Sequence, residues 1–183
     1  STPLYSSAAS DVYKRQVFGL PRIIGRAEDI QWMLDAVPNK HNGLTFCAGS
    51  FSAGEHNDCV AMAKQFADRT HFVHLRSCYI FPNGNFTEAS HLGGRGHLIE
   101  LCRIFEKAEQ EGKCNSGRRL PMRVDHGMTF TDEPGGVFDE SNHGHNAGYT
   151  LLGRMFAMGQ IQGVIATVDD ELGIELSLIH ISE

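Results

Sequence analysis

Apolar residues in the stretch 27–37 (AEDIQWMLDAV) recur at Ile30, Met33, Leu34 and Val37, the three-and-four spacing of one helical face. Pro38 and Asn39 then stop the helix. A short apolar run at 43–47 (GLTFC) has strand length, and Ala-Gly-Ser turns the chain after it. Residues 57–69 (NDCVAMAKQFADR) return to helical spacing, with Val60, Ala63 and Phe66 on one stripe and Asn57 as the candidate cap. A second strand is expected over 70–75 (THFVHL), followed by a loop marked by Pro82, Asn83 and Gly84. A third helix lies within 96–113, with Leu98, Leu101, Cys102 and Phe105 inward, and a third strand covers 120–124 (LPMRV). A Gly-rich loop runs over 127–148, and a last helix covers about 149–159. The apolar stretch 161–168 (IQGVIATV) either extends that helix or packs beneath it.

Strands that alternate with helices predict parallel βαβ units, three or four of them here. No internal repeat stands out, which argues against a solenoid. The chain has 183 residues, enough for one domain with a core but short of the roughly 250 of a complete (β/α)₈ barrel. Hydrophobic residues at 41% and charged residues at 21% predict a soluble globular chain. A net charge of -6 is wrong for a nucleic-acid partner, which calls for a clustered basic face. No apolar run reaches the roughly 20 residues of a membrane span, and the opening residues lack the order of a secretory leader. Five cysteines at wide spacings include no CxxC pair, so a zinc knuckle is not expected and a reducing, cytoplasmic setting is.

In parallel α/β folds the chemistry lies beyond the C-terminal ends of the strands. Here the first strand ends at Cys47, the second at His74 and Arg76, and the third runs into Asp125 and His126. A thiol, an imidazole and a carboxylate at one structural level are a donor set for a divalent transition metal. Taken singly, Cys47 reads more often as a small core residue and His74 more often as a core histidine with its hydrogen bonds satisfied. Asp125 points more to a site, because a DHG turn after a strand rarely serves packing.

Six longer segments resemble, in order, the mannonate dehydratase family. VFGLPRII (17–24) is similar to the family's IFGLPRI, and GLTFCAGSFSAGEHND (43–58) to its Cys-containing loop with the Asn-Asp that follows. RTHFVHLR (69–76) resembles RIHFxHLR, and FTEASHLGG (86–94) resembles FHEADHLDG. LPMRVDHG (120–127) resembles IPMRPDHGH, and NAGYTLLGR (146–154) resembles NPGYSAIGR. The resemblance spans about 17–173. It implies an α/β chain forming roughly the last half of a (β/α)₈ TIM barrel of the xylose-isomerase-like type. It further implies dehydration of D-mannonate to 2-keto-3-deoxy-D-gluconate in hexuronate breakdown, with Mn²⁺ or Fe²⁺ as cofactor.

By the same resemblance Cys47, His74 and Asp125 are the metal ligands, and His126 and Tyr149 the proton-transfer pair. Arg76, His91 and Arg123 match positions that face the substrate. The reaction needs such a set: the C2 proton is weakly acidic, and the C3 hydroxyl leaves poorly until protonated. One group must therefore take a proton and another give one. His126 can do either near neutral pH. Tyr149 needs a lowered pKa to act as the base, and its plain reading is a helix-start residue packed on the rim. The partner expected is a small sugar acid, with neither nucleic acid nor membrane, and homo-oligomerisation is left open.

The chain departs from the pattern in places. Val124 and Ala147 stand where the family has proline, and Met128 where it has histidine. The loop 129–145 is longer than the short family form and carries His143 and His145, which are substrate contacts, a weak metal site or, as the plainer reading, solvated loop residues. The family has a further metal-binding His just upstream of IFGLPRI, where this chain reads SDVYKRQ (10–16). The ends 1–16 and 176–183 look foreign to the rest, similar to translated sequencing adapter. The domain is therefore taken as 17–173, with the ends non-native or disordered. A three-ligand site on an open half barrel predicts weak metal binding and an inactive or aggregation-prone chain. Two other readings remain at this point: a metal-dependent sugar isomerase or epimerase of the same barrel class, and a non-catalytic fragment.

Overall fold

The computed structural model of the chain describes residues 16–17, 20–21, 24–84, 86–128, 130 and 149–174. A two-residue ribbon pairs β1 (Gln16–Val17) with β2 (Leu20–Pro21), and α1 (Ala27–Ala36) follows. Next come β3 (Leu44–Cys47), the short helix α2 (Ala48–Ser52) and α3 (Cys59–Phe66). The chain continues through β4 (Thr70–Leu75) and the antiparallel pair β5 (Cys78–Ile80) and β6 (Phe86–Glu88). It ends with α4 (Leu98–Gln110), β7 (Met122–Val124) and α5 (Leu151–Leu172).

Side-chain chemistry fixes where these elements begin. The Asp29 carboxylate reaches back to the amides of Gly25 at 2.9 Å and Arg26 at 3.0 Å, which closes the first turn of α1. Val37 lies past the end of that helix and is exposed, so the inward face keeps Ile30 and Leu34. The cap of α3 is Asp58, not Asn57: Asp58 Oδ1 accepts from the amides of Val60 and Ala61, both at 3.0 Å. The Asn57 amide is instead engaged with the carbonyls of Gly25 and Phe51, each at 3.1 Å, and ties the loop to the start of α1.

Strands β3, β4 and β7 form one parallel sheet with β4 in the middle. Alternation divides its side chains cleanly. Leu44, Phe46, Val73, Leu75 and Val124 are buried on one face, where Phe46 meets Phe105 of α4 with ring centroids 5.4 Å apart. Ile30, Leu34, Met62, Phe66, Leu98, Leu101 and Phe105 complete this core from the helices. Thr45, Cys47, Phe72, His74 and Arg123 lie on the opposite face, each partly or fully exposed. The four positions expected inward on the third helix, Leu98, Leu101, Cys102 and Phe105, are all buried.

Three elements differ from the expected pattern. The turn after Cys47 is the helix α2, and the loop around Pro82 is the tip of the β5–β6 hairpin. The last helix is longer than 149–159, because 161–168 extends it to Leu172. Over its most apolar window α5 has mean hydropathy 1.2 and, by length and composition alone, is long and apolar enough to cross a membrane, whereas the apolar runs of the sequence predict no span. It is nonetheless docked on α4, with Ala157, Ile161, Val164 and Val168 in the core. The terminal segments read as foreign fall almost wholly outside the described residues, as do His143 and His145.

Candidate metal centre

The sheet register brings the strand-end residues together. Cys47 pairs with His74 across β3 and β4, and His74 pairs with Arg123 across β4 and β7. Register partners on parallel strands project to the same face, and so does a residue two further along. The ladder runs one step past β7, since the Asp125 amide donates to the Leu75 carbonyl at 3.2 Å. Asp125 thereby joins Cys47 and His74 on the open face. One ligand atom from each of the three lies within 4.8 Å of the others. Metal bonds of about 2.0–2.3 Å put three ligands of one ion roughly 3–4 Å apart, so the cluster is close to the spread of a candidate metal site.

The protonation states suit a cation. Burial pushes the Asp125 carboxyl up. The nearby His126 and His74, with hydrogen bonds from Tyr149 and Arg123, outweigh it and hold the group below its usual range. Burial lowers His74, which keeps its imidazole neutral with a lone pair to offer. Burial raises the Cys47 thiol, against the pull of the Ser50 hydroxyl 3.1 Å from its sulfur. A thiol of this kind gives up its proton when a metal takes its place.

Tyr149 and His126 arrive through a close backbone approach. A Cβ on Gly127 would lie 2.3 Å from the Gly153 carbonyl oxygen, and one on Gly153 would lie 2.1 Å from that of Met128. Only glycine at both positions lets the first turn of α5 settle on the segment after β7. This contact puts the Tyr149 ring 4.3 Å from the His126 ring and its hydroxyl 3.1 Å from Asp125 Oδ1, to which it donates. Burial and the Asp125 charge raise the Tyr149 pKa, so in the absence of a cation its phenol keeps its proton. His126 is buried and Tyr149 is 38% exposed, so the pair spans the boundary between core and open face.

The three residues matched to substrate positions differ in exposure. Arg123 is exposed on the open face, 3.2 Å from Asp125 Oδ1. Arg76 is only 1% exposed and forms a two-pronged ion pair with Glu88 of β6, its Nε 2.9 Å from Oε2. His91 is equally buried, with Nε2 2.9 Å from the Leu75 carbonyl. His91 thereby holds the end of β4, and both side chains feel the charge of Asp125. Two participants went unread in the sequence, Ser50 on the Cys47 sulfur and Glu88 on Arg76. Each stands inside a matched motif, three residues after Cys47 and three before His91. A separate cavity of about 260 Å³ opens between the starts of α1 and α3, lined by Arg26, His56 and Asp58 among others. It shares no residue with the cluster around Cys47.

Residues 10–174 match the model of the D-mannonate dehydratase (UxuA) family. The chain belongs to this family. Relatives in the mannonate dehydratase family include mannonate dehydratase 2 of Agrobacterium fabrum, 39% identical over 158 residues, which are 85% of this chain and 38% of that protein. The mannonate dehydratase of Saccharophagus degradans is 39% identical over 155 residues, 84% of this chain and 38% of the relative. In fold, the chain is like the crystal structure of mannonate dehydratase from Streptococcus suis serotype 2, with a TM-score of 0.69 and 24% identity. That likeness covers 86% of this chain and 41% of the other. The chain thus spans about two fifths of the length of the family members it matches.

Proposed function

We propose that the chain carries the metal-binding rim of an enzyme that dehydrates D-mannonate to 2-keto-3-deoxy-D-gluconate. The observation that carries this reading is the gathering of Cys47, His74 and Asp125 on one sheet face with the Tyr149 hydroxyl already on Asp125. Family membership supports a dehydratase over an isomerase or epimerase of related architecture. The parallel sheet, helices on one face and a polar opposite face, reads as an arc of a (β/α)₈ barrel with that polar face inward. Five free cysteines suit a reducing, cytoplasmic setting.

The donor set of sulfur, nitrogen and oxygen fits Mn²⁺ or Fe²⁺. When bound by Cys47, His74 and Asp125, such an ion supplies positive charge that lowers the cost of the anion formed as the C2 proton departs. Around it the residues of this chain divide the remaining work. Arg123 offers a guanidinium on the open face to orient the carboxylate of a sugar acid. Tyr149 holds a proton at its phenol oxygen, and His126 lies in ring contact beside it. One of the pair takes the C2 proton and the other protonates the departing C3 hydroxyl. Arg76 and His91, buried beside the end of β4, lie within electrostatic reach of Asp125 and act on the site from there.

The test is formation of 2-keto-3-deoxygluconate from D-mannonate by the purified chain with added Mn²⁺, beside Cys47→Ala. Product that requires both Mn²⁺ and Cys47 is the expected result. A folded chain that binds Mn²⁺ and yields no product would instead mark it as a non-catalytic fragment.

A further inference from the structure

Cys47 ends β3 and stands directly before α2, so the chain turns back on itself within three residues. The turn returns Ser50 to the ligand it has just passed, with the Ser50 hydroxyl donating to Cys47 Sγ at 3.1 Å. The helix that carries Ser50 is itself held in place. A Cβ on Gly49 would lie 2.3 Å from the Arg76 side chain, so α2 rests directly on the aliphatic stem of Arg76, whose guanidinium is held by Glu88. Ser50 is half-buried and its donor is not on a freely turning surface side chain.

A hydroxyl has one proton to give. Given to a thiolate, it draws electron density off the sulfur and fixes the direction of the lone pairs that remain. Soft thiolate ligands favour soft or late metals, whereas Mn²⁺ and Fe²⁺ sit lower in the affinity order. A hydrogen bond to the sulfur makes the thiolate a harder, less covalent donor, and such outer partners orient and tune the ligands they touch.

We propose that Ser50 is a positioning residue for the sulfur ligand: its hydroxyl aims Cys47 Sγ at the space shared with His74 and Asp125 and moderates the sulfur's donation to the metal. This rests on the reading of Cys47 as a ligand. Co²⁺ tests both, because a thiolate bound to Co²⁺ gives a sulfur-to-metal charge-transfer band whose energy reports the electron density on sulfur. The full chain is titrated with Co²⁺ alone, as wild type and as Cys47→Ala, Ser50→Ala, Ser50→Gly and Ser50→Thr.

Wild type shows the band and Cys47→Ala loses it. Ser50→Ala moves it to lower energy and weakens Co²⁺ binding about ten-fold. Ser50→Gly, which removes the same hydroxyl at a different backbone cost, shifts it equally, and Ser50→Thr restores the wild-type position. A Cys47-dependent band that neither hydroxyl-free variant moves overturns the role of Ser50 and leaves the metal site standing. A wild type with no Cys47-dependent band overturns both.

Discussion

Replacing Glu106 by Gln tests the electrostatics of the joint between α4 and α5. Glu106 faces Asp169 of α5 and stands one turn from Glu109, with Arg119 the cation nearby. The Cys102 and Cys114 thiols also feel its charge. Asp169 is buried, and its Oδ1 has no hydrogen-bond partner among the described residues. Burial first, and then the charges of Asp169 and Glu109, push Glu106 from 4.5 up to about 7. In the unfolded chain the carboxyl ionises near its ordinary value, so between about pH 4.5 and 7 the folded state binds more protons and stability falls as pH rises. The group's favourable contribution is complete below pH 4.5 and gone above pH 7. At about 1.4 kcal/mol per pH unit the full effect is about 3 kcal/mol; solvent access to the carboxyl reduces this to about 1–2 kcal/mol. Urea unfolding at pH 4.5, 6 and 8 reads it directly. Glu106→Gln should match wild type at pH 4.5 and exceed it by about 1–2 kcal/mol at pH 8. A variant that is no more stable than wild type at pH 8, or equally more stable at every pH, refutes the argument.

Glycines within α5 should respond oppositely to alanine. Gly153→Ala gains about 1 kcal/mol of helix propensity but drives a Cβ against the Met128 backbone, for a net loss of about 1–2 kcal/mol, whereas Gly159→Ala meets nothing within 4 Å and gains about 0.5–1 kcal/mol; thermal unfolding of the two variants compares them, and equal melting temperatures would contradict the packing at Gly153. Glu88→Gln leaves the Arg76 charge buried without its counter-ion and should lower stability by about 3 kcal/mol in urea. An unchanged midpoint would mean that Arg76 finds water or another carboxylate. Tyr149→Phe removes the donor to Asp125 but keeps the ring beside His126, so Mn²⁺ binding by calorimetry should persist while dehydration falls about 100-fold or more. Unchanged turnover would remove Tyr149 from the proton-transfer pair.

The frame of the site was legible because it follows from periodicity. Runs such as GLTFC and THFVHL have strand length and stop at polar residues, so Cys47 and His74 could be placed level before any register was known. Short elements were harder to see. Helix α2 has five residues and the β5–β6 strands three each, too few for a period to show. The extent of α5 stays open in the sequence because the helix is apolar around its circumference, leaving no polar face to mark its end. Adjacent Asn57 and Asp58 are equally good caps by sequence, and the carbonyls of Gly25 and Phe51 that engage Asn57 decide for Asp58.

Arg76 shows most clearly where pattern stops being informative. It follows His74 by two residues and so belongs, by alternation alone, to the same polar face. Yet β4 ends at Leu75, and alternation no longer governs the next residue. Twelve positions later Glu88 supplies a carboxylate, and a guanidinium that finds one in the interior can be buried there. Arg123 differs in lying within its strand, so the pleat holds it on the open face beside Asp125. Two arginines in similar motifs thus take different positions, one beneath α2 and one at the rim. What separates them is whether the strand still sets the side chain's direction and whether a partner waits on the buried side.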